Sequence, residues 1–334
     1  MDPDDVVEES IEGAGTTDVT LVSLNKPIWT YGLRNPHWLL PERDKRATSV
    51  AFVALSCPQS KAGVIPEDDR GRFCRAVALF LTESAFFLTS HNPVTIIPAV
   101  KGSGPSMRDA PFTDDEIWGL GAAGMRYVVT GMLEEDGLEG EVSFTLYDAR
   151  AKTKMDRFAQ KGQRYDFGRM VLDLSEKVCS AIGSSGSSNV PWYASPSPDL
   201  IDGYLGTLAR SLTLYLAQKG VVPKDALAGE PNLLQWIADF AVATPGMHVP
   251  PVLLAASLSV DRSLATDTYK QFKAQSMALV ARESDPASPL FRLAPLIYQL
   301  FGEDDLYAER CGTLLENGDT PLINWLEALE AGYK

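Results

Sequence analysis

Residues 114–158 read DDEIWGLGAAGMRYVVTGMLEEDGLEGEVSFTLYDARAKTKMDRF, and their pattern decides the fold. The first eleven predict a helix, with Thr113 as its N-cap and Glu116 three residues on as the capping-box partner. Gly124 suits the left-handed residue that ends a helix. Strands are predicted over 126–135, over 138–150, where Val142, Phe144 and Leu146 alternate with polar residues, and over 153–160. Asp136-Gly137 signals the first hairpin, and a second lies over 148–154. Gly131, inside VVTGML, marks a bulge or a close backbone approach. No residue of the stretch is placed like a catalytic group.

Upstream, SVAFVAL at 49–55 is a short apolar run of the buried-strand type. Residues 68–89 place Phe73, Val77, Phe80, Leu81, Ser84 and Leu88 at helical spacing, with acids at the N-terminal end where the helix dipole favours them. Asn92-Pro93 breaks that helix, and VTIIPAV at 94–100 is the next strand, Pro98 suggesting an edge or a bulge. Downstream, residues 166–182 align Phe167, Met170, Val171, Leu174, Val178 and Ile182 on one helix face. The order is strand, helix, strand, helix, three strands, helix: an α+β domain with a mixed five-stranded sheet.

Residues 49–183 resemble the N-terminal domain of the TolB family, an α/β module related in architecture to the anticodon-binding fold. The family pattern is an apolar strand, a helix opening on acids, a short strand, a helix ending in a Gly-containing turn, a strand of the form RYVLxGxV, two strands around an IDAxTG hairpin and a last helix. The matching segments here are SVAFVAL, the helix from Asp68, VTIIPAV, EIWGLGAAG, RYVVTGMLEE, VSFTLYDARAKTKM and the helix from Phe167. YDARAKT departs from the family's hairpin by lengthening it and losing the Gly. The resemblance implies a bacterial, noncatalytic interaction module and carries no active site over. Such domains often precede helical repeats or a propeller.

Residues 184–197 are a Gly/Ser-rich linker, and everything beyond, 198–334, reads as helix. Ser197-Pro198, Ser288-Pro289 and Thr320-Pro321 each pair a cap residue with a Pro at the first helical position. Helices are predicted from Ile201 to Leu216 and over 232–243, 251–259, 262–282, 290–301, 304–317 and 322–331. A 34-residue period of the tetratricopeptide kind yields no consensus, so a bundle and a repeat array both stay open. Residues 1–17 form an acidic tail too poor in apolar surface to order itself, and 18–48 read as an extended arm after one strand, DVTLVSL.

The formal charge of −14, from 44 acids against 30 bases, disfavours nucleic acid and anionic membrane as general partners. Cys57, Cys74, Cys179 and Cys311 are far apart, without CxxC spacing, so neither a disulfide framework nor a zinc site is implied. No run of about 18 apolar residues occurs, and the start is the reverse of a signal peptide, so the expected location is cytoplasmic. His37, His91 and His248 have no ligand at metal spacing, and KGSGPS at 101–106 lacks the GK[ST] of a phosphate loop. No cofactor is expected.

Two features are candidates for partner binding. Trp29, Tyr31 and Trp38 lie in the arm, where they serve either as packing on the chain's own core or as anchors for a partner. Arg157, Lys161 and Arg164 belong to a run of seven bases and two acids between Arg150 and Arg169. Such a run serves either as edge-strand charge that discourages aggregation or as a dock for an acidic segment, including residues 2–12 of this chain or of a neighbouring copy. The expected function is a noncatalytic scaffold or adaptor acting through protein contacts or self-association. The alternatives are a regulatory sensor with a small ligand between its two domains, and an enzyme of unrecognised type.

Overall fold

The computed structural model describes residues 9–10, 19–58, 69–100, 102–184, 188, 190–224, 227 and 233–331. The expected acidic tail therefore lies outside the described residues except for Glu9 and Ser10, as does Lys101 of the Gly-rich loop. In chain order the strands are β1 (Glu9–Ser10), β2 (Val19–Leu24), β3 (Ser49–Val53), β4 (Asn92–Val100), β5 (Gly104–Pro105), β6 (Tyr127–Asp136), β7 (Glu139–Asp148) and β8 (Thr153–Gln163). They form one mixed sheet in the order β1-β2-β4-β3-β6-β7-β8, with β5 beside β4. β3 runs parallel to β4 and β6, and every other pairing is antiparallel.

The five expected strands are the middle and one wing of this sheet. The other wing begins with the strand read at DVTLVSL, which belongs to the sheet because Val22 and Leu24 bury their side chains in its core. Pro98 is consequently on an interior strand. It sits beyond the end of β3, where pairing on that side stops after Ile96, and its carbonyl accepts the Ser106 N–H. Gly131 marks a close approach: a Cβ there would lie 2.8 Å from Leu55 Cγ and 3.0 Å from Phe144 Cδ1. The irregularity falls instead between Leu146 and Tyr147, where β8 carries one extra residue.

Alternation along β3 sends Val50 and Phe52 to one face and Ala51 and Val53 to the other. The second face is covered by α2 (Asp114–Ala122), whose capping box between Thr113 and Glu116 is present as expected. The first is covered by α1 (Asp69–Leu88) and α3 (Phe167–Ala181), and behind these lie α4 (Ile201–Gln218), α5 (Leu233–Ala243), α6 (Val249–Leu264), α7 (Lys273–Arg282), α8 (Pro289–Phe301), α9 (Asp304–Asn317) and α10 (Thr320–Ala331). The class is an α+β layer joined to an all-α layer, and one hydrophobic core runs through both.

The predicted helices over 251–259 and 262–282 divide elsewhere: α6 runs on to Leu264, and a 3-10 turn at Thr268–Phe272 leads into α7. Ala265 and Asp267 turn left-handed, at φ 59° and 60°. Buried Asp261 holds the break by accepting the Thr266 hydroxyl at 2.6 Å and the Tyr269 N–H at 2.8 Å. Pro289 opens α8 at its first turn as expected, but the Ser288 side chain makes no cap bond; Ser197-Pro198 makes a turn before α4, and the Asp319 carboxylate, not Thr320, takes the Leu322 N–H at the start of α10.

Candidate functional site

In α1 the run ALFLTESAFFL buries nearly every side chain, Glu83 included, which is 1% exposed. A lone carboxyl in such surroundings needs hydrogen-bond donors, and it has three. Trp29 Nε1 donates to Oε2 at 2.9 Å, and the Tyr204 and Tyr193 hydroxyls donate to Oε1 at 2.5 and 3.3 Å. The donors come from three segments: the arm, α4 and the end of the linker. Desolvation outweighs these bonds and pushes the Glu83 pKa up to about 7, while burial raises both tyrosines well above their ordinary value. Phe87 stacks on Tyr193 at 4.0 Å and on Trp29 at 6.2 Å, closing the cluster.

Trp29 begins a strap that ties the two layers together. Gly32 lies so close to α6 that an added Cβ would be 2.3 Å from the Ala256 carbonyl oxygen. The Tyr31 ring packs 4.8 Å from Tyr215 of α4, and Trp38 meets Trp325 of α10 edge-on at 5.5 Å. Trp325 Nε1 also donates to the Leu33 carbonyl at 2.9 Å. Farther along, Arg43 Nη1 donates to the Thr89 and His91 carbonyls at 2.6 and 2.9 Å. The arm is thus an intramolecular strap and, contrary to expectation, not extended: it turns through two short 3-10 helices, Ile28–Gly32 and His37–Leu39, as its aromatics fold onto the helices behind it. Trp29, offered as a partner anchor, is wholly buried in the chain's own core, because a ring of that size gains several kcal/mol by burial and Glu83 satisfies its one polar atom. Tyr31 and Trp38 keep part of their surface exposed, but no common outward face joins them.

The basic candidates are brought together at the opposite wing. Among the described residues β8 is the outermost strand, paired to β7 on one side only, and its residues from Thr153 to Arg157 are all exposed. Arg157 and Lys161 both approach Glu141 on β7, at 2.5 and 3.6 Å. Arg164 lies 3.6 Å from buried Glu135, whose other oxygen is 2.5 Å from Arg70 Nε without hydrogen-bond geometry. Each of these acids is therefore shared by two cations. Arg150, Lys152 and Lys154 form no ion pair among the described residues, so the edge keeps a net positive charge. Leu138, Met155 and Tyr165 add apolar surface there, at 76%, 49% and 77% exposure.

A third feature lies where the strap ends. An open depression of about 430 Å³ is lined by Glu42, Arg43, Asp44, Arg46, Ser90 and His91. The Arg43 guanidinium sits 4.6 Å over the Phe86 ring, its Nε and Nη2 buried without a hydrogen-bond partner, and burial lowers its pKa to about 10. Among the described residues no three His, Cys, Asp or Glu side chains are grouped to hold a metal, and no helix is long and apolar enough to cross a membrane.

The Glu83 cluster and the Arg43 corner escaped the sequence reading. Glu83 left one signal, a single acid inside an apolar helical run; Tyr193, Tyr204 and Arg43 left none, since their partners are distant in the chain.

No protein-family model matches the chain, and no curated protein does. Among solved structures, the PelC dodecamer from Paraburkholderia phytofirmans and a point variant of it are each 16% identical, with alignments covering 48% of this chain and 96% of theirs at a TM-score of 0.25. A likeness at that level carries no weight for fold or function.

Proposed function

We propose that this chain is a noncatalytic scaffold or adaptor that binds extended, acidic protein segments along the outer edge of β8. One observation carries the reading: β8 offers an eleven-residue strand with one side unpaired among the described residues, net positive charge and exposed apolar side chains at both ends. A free edge supplies main-chain hydrogen bonds to an added strand, and cross-strand charge selects what is added. The strap and the Glu83 cluster hold the sheet against seven helices, so the edge is presented on a rigid body. The cysteine spacing, without CxxC pairs, suits a reducing, cytoplasmic setting.

A photo-crosslinking residue at Ala159 in the native cell tests this. The expected result is a stoichiometric protein adduct, identified by mass, that disappears on Arg157→Glu with Lys161→Glu. An adduct indifferent to that reversal, or none, overturns the reading.

A second reading, a sensor for a small anion, is favoured by Arg43, whose buried unpaired N–H groups are costly without an acceptor. Saturable thermal stabilisation by phosphate or citrate, abolished by Arg43→Gln, is the expected sign, and no stabilisation overturns it.

A further inference from the structure

The segment that fits the β8 edge is present in the same sequence. Residues 1–18 hold seven acids (Asp2, Asp4, Asp5, Glu8, Glu9, Glu12, Asp18) and no base. Residues 150–169 hold seven bases and two acids, in a protein of net charge −14. Even after Glu135 and Glu141 are set against it, the β8 edge remains positive.

The sheet places Glu9–Ser10 of the first segment and β8 of the second at its opposite ends. β1, which contains Glu9, is the outermost strand of one wing, and β8 is the outermost strand of the other. Along the strand order six inter-strand steps separate them, about 29 Å at ~4.8 Å per step. Residues 2–8, fully extended from Glu9, span about 24 Å, which is less than the separation before any path around the sheet is allowed for. A segment of that length is short of β8 in its own molecule, which favours a second copy as its source. Glu9 and Ser10 also show that this segment accepts strand pairing, since they pair with Leu21 and Thr20 of β2.

We infer that the occupant of the β8 edge is the acidic N-terminal segment of a second copy, so that copies associate head to tail with the β1 wing of one beside the β8 wing of the next. This rests on the docking reading above and names its partner. Such a contact uses two different surfaces, so a pair of copies still has one free edge of each kind, and assembly proceeds to a closed ring or a filament according to the rotation per step. Cross-strand opposite charges set the choice of edge: an unlike pairing places acids opposite Lys154, Arg157 and Lys161, whereas a β8–β8 pairing would oppose like charges.

Sedimentation of the full chain over a range of concentration and salt tests the inference. The expected result is concentration-dependent association weakened about tenfold or more between low and high salt. Two charge-reversed chains then separate the surfaces. One carries Lys154→Glu, Arg157→Glu and Lys161→Glu; the other carries Asp2→Lys, Asp4→Lys, Asp5→Lys and Glu8→Lys. Each alone is expected to associate at least about tenfold more weakly, and the chain carrying both sets to regain wild-type association. A chain monomeric throughout, association that survives removal of residues 1–17, or failure of the combined reversal to restore it each overturns the inference. If the Ala159 adduct then contains a different protein, docking at β8 stands and self-association alone falls. Loss of both results removes the docking reading as well.

Discussion

The strap around Trp29 and the edge around Arg157 are the two regions whose composition invites a partner, and the fold treats them oppositely. The strap turns its aromatics inward onto α1, α4 and α10, and the Trp29 Nε1 and Arg43 Nη1 donors find acceptors at Glu83 and at backbone carbonyls, while Trp38 Nε1 and Arg43 Nε and Nη2 are buried without one. The edge keeps its charges in water and shares each acid between two cations. Large rings gain most by leaving water, and charged heads lose most, so the same wish for a partner is met inside the molecule by one and left open by the other. Trp29 is buried in the core, and Arg157 stays exposed at the sheet edge.

Substitutions can break that division. Trp29→Ala should have the largest effect, about 3–5 kcal/mol of lost stability in chemical denaturation, because it opens a cavity beside Phe87 and removes a donor from Glu83. A loss under about 1 kcal/mol would make the strap an accessory rather than a tie.

Next comes pH. The folded Glu83 pKa is about 7 against an ordinary 4.5, so over that window the native state holds a proton that the unfolded chain has released. Stability is therefore greatest on the acid side of the window, falls as pH rises from about 4.5 to about 7, by about 3 kcal/mol, and falls no further above it. Glu83→Gln should flatten that fall in a pH series of unfolding midpoints while leaving the other titrations in place. An unchanged profile would mean the carboxyl is not the group responsible.

Gly32→Ala sets a methyl against the Ala256 backbone and should cost about 1–3 kcal/mol as strap and α6 separate. Smallest on stability is the edge: Arg157→Gln with Lys161→Gln should change unfolding by no more than about 0.5 kcal/mol, since the pairs with Glu141 are solvent-exposed on the cation side. A larger loss would move the edge to the stability side of the comparison.

Much of the α/β layer was legible along the chain because its signals are local. The capping box at Thr113, the hairpin at Asp136-Gly137 and the alternation of Val142, Phe144 and Leu146 each need only a few neighbouring residues, and each is found as read. The break at Ala265 was not legible, because the buried Asp261 that holds it bonds to residues five and eight positions on. The basic run announced itself by composition; its pairing with Glu141 required the register of β7 against β8.

By itself, then, the amino-acid order determined the class of each half, the order of the strands along the chain and the charge contrast between residues 1–18 and 150–169. Periodicity, capping and turn chemistry act within a few residues, so they are written in order. Tertiary structure alone decided that Trp29 closes inward on Glu83, and that β1, with Glu9, and β8 stand at opposite edges of one sheet. Those outcomes depend on contacts between residues 54 to 292 positions apart, where burial of the donor and a matching acceptor, not local preference, sets the answer.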